Sequence, residues 1–242
     1  MQINIAHLYP DLLNIYGDKG NVTAFIKRCT WRNIDVKVHE IGINDKINPE
    51  LYDFYFIGGG QDQQQIAVSH ELQKQKTPLH EAMDSGAVFL AICGGYQLFG
   101  HYYRPHDGEE LKGISLLDAY TIAGNTRYIG NVTVLSDLPL NNTNTLTGFE
   151  NHSGLTYLEG ETKPIGSVII GNGNNGKDKS EGAYKKNVFG TYLHGSLLPK
   201  NPHFTDYLIK LSLERNYGQV NLAEINDEFE WLAHNRAVKR KY

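Results

Sequence analysis

The stretch Ala87-Val-Phe-Leu-Ala-Ile-Cys93-Gly-Gly-Tyr-Gln97 decides how the chain is read. A short apolar run of strand-forming residues breaks abruptly into small residues that open a helix. This places one side chain at the tip of a sharp bend at a strand's end, the geometry of a nucleophile elbow. The first N–H groups and positive end of the following helix would lie beside the Cys93 sulfur and favour its thiolate. Cys93 is therefore a candidate nucleophile, although a small buried hydrophobe at a strand end would look the same in isolation. The second cysteine is a useful contrast. Val22, Phe25, Ile26 and Cys29 recur at helical spacing, so Cys29 belongs to the buried face of an amphipathic helix.

Outward from the elbow, apolar runs at 3–9, 36–41, 54–57 and 87–92 alternate with helical patterns at 22–29, 63–75 and 78–85. That rhythm predicts an α/β fold with a mostly parallel sheet and helices on both faces. After Gly113 the character changes. Short runs at 128–135, 145–150, 167–170 and 188–193 are separated by Asn-, Gly- and Pro-rich turns and read as antiparallel additions. A helix begins at Asn201, with Asn201 or Thr205 as its cap, Tyr207, Leu208 and Leu211 as its stripe, and Gly218 as its stop. A further helical stretch from Glu224 carries Phe229, Trp231 and Leu232. We expect one domain over residues 1–242, with a C-terminal helical extension from about residue 203.

Composition narrows the function. A chain of 242 residues with 40% hydrophobic content can bury a substantial core. A formal charge of -4 gives no electrostatic reason to expect nucleic acid, and the basic end Lys239-Arg240-Lys241 reads as a solvated tail. No apolar run approaches the ~20 residues of a membrane span, and no export signal opens the chain. Two cysteines argue for reduced thiols and, with the rest, a cytoplasmic protein.

In a parallel sheet, ligands gather at the carboxyl ends of the strands. Besides Cys93, the run 54–57 ends in Gly58-Gly59-Gly60-Gln61-Asp62. N–H groups from this loop (Gly59, Gly60), joined by that of Gly94, would form an oxyanion hole, although a plain tight turn also explains three glycines. A thiolate needs a base. His194, at the end of the apolar run from Val188, stands at a strand end before Gly195; His152 in Glu150-Asn-His-Ser-Gly154 is a second candidate. No histidine shows zinc spacing, so no metal site is expected.

Taken in order, Gly58-Gly59-Gly60, the Cys93-Gly94-Gly95-Tyr96-Gln97 elbow and Gly190-Thr-Tyr-Leu-His194-Gly195 resemble the class I (triad-type) glutamine amidotransferases of the cobyric acid synthase-like branch. The opening Leu8-Tyr-Pro-Asp-Leu-Leu-Asn-Ile-Tyr-Gly-Asp18 with Gly20-Asn21, together with Glu150-Asn-His-Ser-Gly154, is most similar to glutaminase subunits of that branch. Those subunits pair as heterodimers with a Mur ligase-like synthetase that amidates the D-glutamate of lipid II, a peptidoglycan precursor. The resemblance implies a flavodoxin-like fold, Cys93 as nucleophile, His194 as general base and acid, and oxyanion donors at Gly59 and Gly94. It also implies L-glutamine contacts from Gln97 and Arg127. A guanidinium at Arg127 suits the α-carboxylate of free glutamine, since it offers a bidentate partner.

Two departures matter. The wider family places a glutamate two residues after the histidine, whereas this chain has Ser196 there. The site is then a dyad, or its acid comes from elsewhere, a partner subunit being one source. The run Gly171-Asn-Gly-Asn-Asn-Gly176-Lys177 imitates a P-loop, but Asp178 stands where a magnesium-binding hydroxyl is required, so it is read as a loop. No cofactor is expected on this chain, with ATP and Mg expected on the partner. Two alternatives remain open: an amidotransferase for another, cobyrinate-type acceptor, and a non-catalytic glutamine-binding regulatory subunit.

Overall fold

The computed structural model describes residues 1–14 and 17–240. Ile15 and Tyr16 of the opening motif, and Lys241 of the basic end, lie outside them. The elements run in the order β1 (Gln2–Leu8), α1 (Lys19–Thr30), β2 (Asp35–Ile41), β3 (Phe54–Ile57), α2 (Asp62–Lys74), α3 (Lys76–Asp84), β4 (Val88–Ile92) and α4 (Gly94–Phe99). Next come β5 (Tyr102–Arg104), β6 (Leu111–Lys112), β7 (Ala119–Ser136), β8 (Thr145–Leu158), β9 (Gly166–Ile170), β10 (Ser180–Glu181), β11 (Ala183–Lys185) and β12 (Val188–Thr191). Three helices close the chain: α5 (Leu197–Lys200), α6 (Pro202–Tyr217) and α7 (Glu228–Lys239).

The central sheet has the order β11-β12-β4-β3-β1-β2, parallel throughout except for β11 at the edge. One face carries Tyr55, Ile57, Phe89 and Ala91 against Val68 and Leu72 of α2, Leu79 of α3, and Leu98 of α4. The other carries Ile5, Phe56, Leu90 and Phe189 against Phe25 and Cys29 of α1 and Leu208 of α6. Alternate residues of each strand thus feed two apolar layers, as a sheet covered on both faces requires. A second sheet, β10-β9-β7-β5-β6 with β8 paired to β7, packs beside it and is largely antiparallel.

Three expectations need correction. The run 188–193 is no antiparallel addition: β12 pairs parallel with β4 inside the central sheet. All four of its residues are buried, the pattern of an interior parallel strand. The Asn- and Lys-rich turn before it belongs to the β11–β12 hairpin, which alone is antiparallel. The runs at 128–135 and 145–150 are the second half of β7 and the first part of β8, much longer strands whose polar and glycine residues conceal their length. The last helix starts at Glu228 and not at Glu224.

A buried charge cluster fastens the C-terminal segment. Arg28 on α1, with its side chain 3% exposed, donates to both oxygens of Asp206 on α6 (2.6 and 2.7 Å) and of Asp227 just before α7 (2.6 and 2.7 Å). Arg32, one turn on, adds a 2.7 Å contact to Asp206.

Candidate active site

Four neighbouring parallel strands, β12, β4, β3 and β1, each lead at their carboxyl ends into one component: His194, Cys93, the Gly58–Gly60 loop and Asp18. From β1 the chain steps to β2 on one side and later to β3 on the other, the kind of switch point where such sheets open a crevice.

Cys93 sits at the first bend of this crevice with φ +51° and ψ −104°, a positive-φ conformation that costs a residue with a side chain on the order of 1–3 kcal/mol. The bend is pinned on both sides. Cys93 N–H donates to Thr191 O of β12 (2.9 Å), and Cys93 O accepts from Gln97 N–H (2.9 Å), starting α4. The thiol is half-buried, unlike that of Cys29, which is fully buried and pushed up to about 12 by burial.

His194 is held by a two-bond bridge to β8: its N–H donates to Phe149 O (2.8 Å) and Phe149 N–H donates to His194 O (3.2 Å). Gly195 at φ +71° and Ser196 at φ +46° then turn the chain sharply away. The imidazole is 1% exposed. Burial alone would lower its pKa, but the adjacent Cys93 and Asp18 outweigh burial and raise it to about 10. These two neighbours thus favour the charged form of the imidazole.

Asp18 is the residue that sequence reasoning missed. It is fully buried, and its Oδ1 lies 3.5 Å from His194 Nδ1, while its Oδ2 accepts the Gly59 N–H at 2.7 Å. A carboxylate of this chain, between β1 and the head of α1, thus stands beside His194 Nδ1, where an orienting acid would be needed, and it is not the residue two places past the histidine. The sequence placed Asp18 at the close of the opening motif, ahead of an amphipathic helix, but nothing local tied it to His194.

The same bond changes the assignment of oxyanion donors. Gly59 N–H is already engaged by Asp18 and is no free donor. Gly60 N–H meets no acceptor among the described residues, and it lies 3.1 Å from the point where a Gly94 Cβ would stand. Gly60 N thus lies beside Gly94, the residue that follows Cys93. Gly59 fills a different need: a Cβ there would lie 3.3 Å from Cys93 Cβ, 3.3 Å from His194 Cε1 and 3.4 Å from Asp18 Oδ2. A bare backbone at Gly59 lets three side chains converge.

Gln97 is drawn into a buried polar network behind the site. Its Nε2 donates to Tyr192 Oη (3.1 Å), which meets Thr156 Oγ1 (2.7 Å), itself bonded to Thr121 Oγ1 (2.8 Å). Among the described residues Gln97 Oε1 is buried without a hydrogen-bond partner. His152 stacks on Tyr192 with ring centroids 3.6 Å apart, and its Nδ1 pairs with Gly154 O. Burial lowers its pKa to about 4, so it supports the Tyr192 ring as a neutral group and is poorly suited to be the base. Arg127 lies exposed where the β7–β8 register shifts, with Nε donating to Asn151 Oδ1 at 2.7 Å. In the P-loop-like segment, Gly173 N–H and the Asn172 N–H and Nδ2 all donate to the Glu150 carboxylate of this same chain. No group of three or more metal-ligating side chains occurs among the described residues.

Comparison with known proteins gives the family. The profile of the CobB/CobQ-like glutamine amidotransferase domain matches residues 4–202. The chain is 43% identical over 239 residues to the lipid II isoglutaminyl synthase (glutamine-hydrolyzing) subunit GatD of Staphylococcus aureus, covering 99% of this chain and 96% of that one. It is 38% identical to the same subunit from Streptococcus pneumoniae, covering 90% and 83%. A probable cobyric acid synthase of Methanococcus maripaludis is 30% identical over 86% of this chain but only 44% of its own length. Among solved structures, PurLQS from Thermotoga maritima superposes with a TM-score of 0.57 at 15% identity (80% and 88% covered). A glutamine amidotransferase from the same organism gives 0.54 at 14% (98% and 99%), a likeness of fold. With its profile matched over most of its length and its elbow, glycine loop and histidine at adjoining strand ends, the chain belongs to the CobB/CobQ-like glutamine amidotransferases.

Proposed function

We propose that this chain is the glutaminase subunit of a two-subunit enzyme that amidates the D-glutamate of lipid II, hydrolysing L-glutamine and handing ammonia to a Mur ligase-like, ATP-dependent synthetase. The observation that carries the reading is the convergence of Cys93, His194 and Asp18 around Gly59. The near full-length likeness to subunits of that name supports the acceptor; cobyrinate-type enzymes match over less than half their length.

In this mechanism the Cys93 thiolate attacks the side-chain carbonyl of glutamine, and the oxyanion forms against Gly60 and Gly94 N–H. The protonated His194 gives its proton to the departing nitrogen, so ammonia leaves and a thioester remains. Neutral His194 next takes a proton from water, whose oxygen attacks the thioester. The Cys93–carbonyl bond breaks, glutamate departs, and the thiolate–imidazolium pair is restored. Asp18 keeps Nδ1 facing itself and stabilises the imidazolium in both halves. Arg127 holds the α-carboxylate, and Gln97 Oε1 offers an acceptor to substrate N–H. ATP and Mg act on the synthetase.

An electrophilic glutamine analogue tests this directly. Peptide mapping should find it on Cys93 and not on Cys29, with glutamine protecting; labelling of Cys29 alone, or none, would refute the assignment.

A further inference from the structure

Helices α1 and α5 wall a groove of about 400 Å3 that has no part in the glutamine chemistry. Ala24 of α1, Trp31 at its end, and Leu198 and Pro199 of α5 make it mainly apolar; Glu230 of α7 also lines it, and Trp31 is 51% exposed. Lys27 stands at its edge with no ion pair among the described residues. On α7, Phe229 and Leu232 share a helical face and are 80% and 47% exposed.

The two walls continue into the catalytic centre. Asp18 caps the head of α1, and His194 lies just ahead of α5. They are stitched together: Ser196 Oγ donates to Gly17 O (2.8 Å), Leu198 N–H donates to Asn21 Oδ1 (2.9 Å), and Gly20 packs so tightly against Ser196 Oγ that a side chain at Gly20 would collide with it. Between these walls the Asp18–His194 contact, at 3.5 Å, is longer than a good charge-assisted hydrogen bond.

We infer that this groove is the docking site of the synthetase subunit, which inserts an apolar side chain between α1 and α5 and sets a carboxylate against Lys27. The inference rests on the function proposed above. The argument for this occupant is charge and position. An apolar slot with one uncompensated cation at its edge suits an apolar anchor beside an acid. An anchor at that point bears on both walls that carry Asp18 and His194, so docking draws the pair together and ties ammonia release to the presence of the subunit that consumes it.

The test uses the full chain with Thr23→Trp, which fills the slot from an exposed groove residue, and Lys27→Glu, which reverses its edge. Glutaminase turnover is measured alone and with purified synthetase, together with the Kd of the pair and the Tm of each variant. We expect unchanged Tm, basal turnover within about twofold of the parent, and Kd raised at least about tenfold for both, with stimulation lost accordingly. Parental Kd and stimulation in both variants would overturn the inference. So would a self-associating parent that Thr23→Trp renders monomeric without weakening synthetase binding, since the groove would then serve a second copy. A parental complex that hydrolyses no glutamine would instead overturn the proposed function, while the Kd comparison would still decide the groove.

Discussion

Replacing Asp18 by Asn removes one negative charge and little else, because the amide oxygen can still accept the Gly59 N–H. A carboxylate 3.5 Å from an imidazolium contributes about 5 kcal/mol at an effective dielectric of about 20. That corresponds to more than three decades of rate if all of it acts in the transition state. The Asn dipole and solvent rearrangement recover part of it, so we expect kcat to fall by roughly 10²- to 10³-fold with KM nearly unchanged. The assay is glutamate release at saturating synthetase from pH 6 to pH 9, with Tm recorded alongside. The parent should keep His194 protonated across that range, as a group raised to about 10 does, whereas the variant should lose its pre-formed imidazolium as pH rises. The Ala variant should add a stability loss of about 1–3 kcal/mol, because Gly59 N–H is left buried without an acceptor. An Asn variant with parental kcat throughout would refute an orienting role for Asp18. Alanine scanning of acidic synthetase residues would then be the way to find a carboxylate supplied from outside.

Cys93→Ser should abolish glutamine hydrolysis with the fold intact, whereas Cys29→Ala should keep turnover and lose only core packing; paired glutaminase and melting measurements decide it. Arg127→Ala should lower kcat/KM roughly ten- to a hundredfold, mostly through KM, from the loss of about 1.5–3 kcal/mol of charge-assisted contact; unchanged kinetics would return Arg127 to its bond with Asn151. Burial holds His7, His152 and His203 near pKa 4 in the fold, while the unfolded chain takes up those protons below about 6.5. Stability should therefore drop as pH falls from about 6.5 to about 4, and His152→Gln should flatten that part of the Tm profile. His194 has the opposite sign: its contribution is fully present below about pH 6.5 and fades as pH climbs through about 10.

The chemistry was legible where it sits on local pattern. An apolar run meeting Cys93-Gly94-Gly95 states a strand, a bend and a helix in consecutive residues, and the glycine loop and His194 likewise occupy strand ends. Asp18 gave no such local statement, because its meaning is its distance to His194, and that distance depends on β1 and β12 lying in one parallel sheet. The same pairing was hidden for 188–193: once turn residues flanked it, four buried residues could not reveal whether the neighbouring strand ran parallel. Gly59 shows a finer limit. The sequence announces that backbone must come close to something there, but whether its N–H faces substrate or a carboxylate is decided by Asp18.

The family profile stops at residue 202, yet residues beyond that point are tied by charge to the body of the fold. Arg28 is a buried cation whose four short bonds all go to Asp206 and Asp227, both past that limit. Clipping the chain after Gly218 would strip half of its neutralisation, and leaving a buried charge under-compensated costs about 3–5 kcal/mol. The loss would fall on α1, the helix whose head presents Asp18. A segment that looks like an appendage thus serves as a counter-charge for the helix that presents Asp18, and a loss at either end of the Arg28–Asp206–Asp227 cluster strands charge at the other.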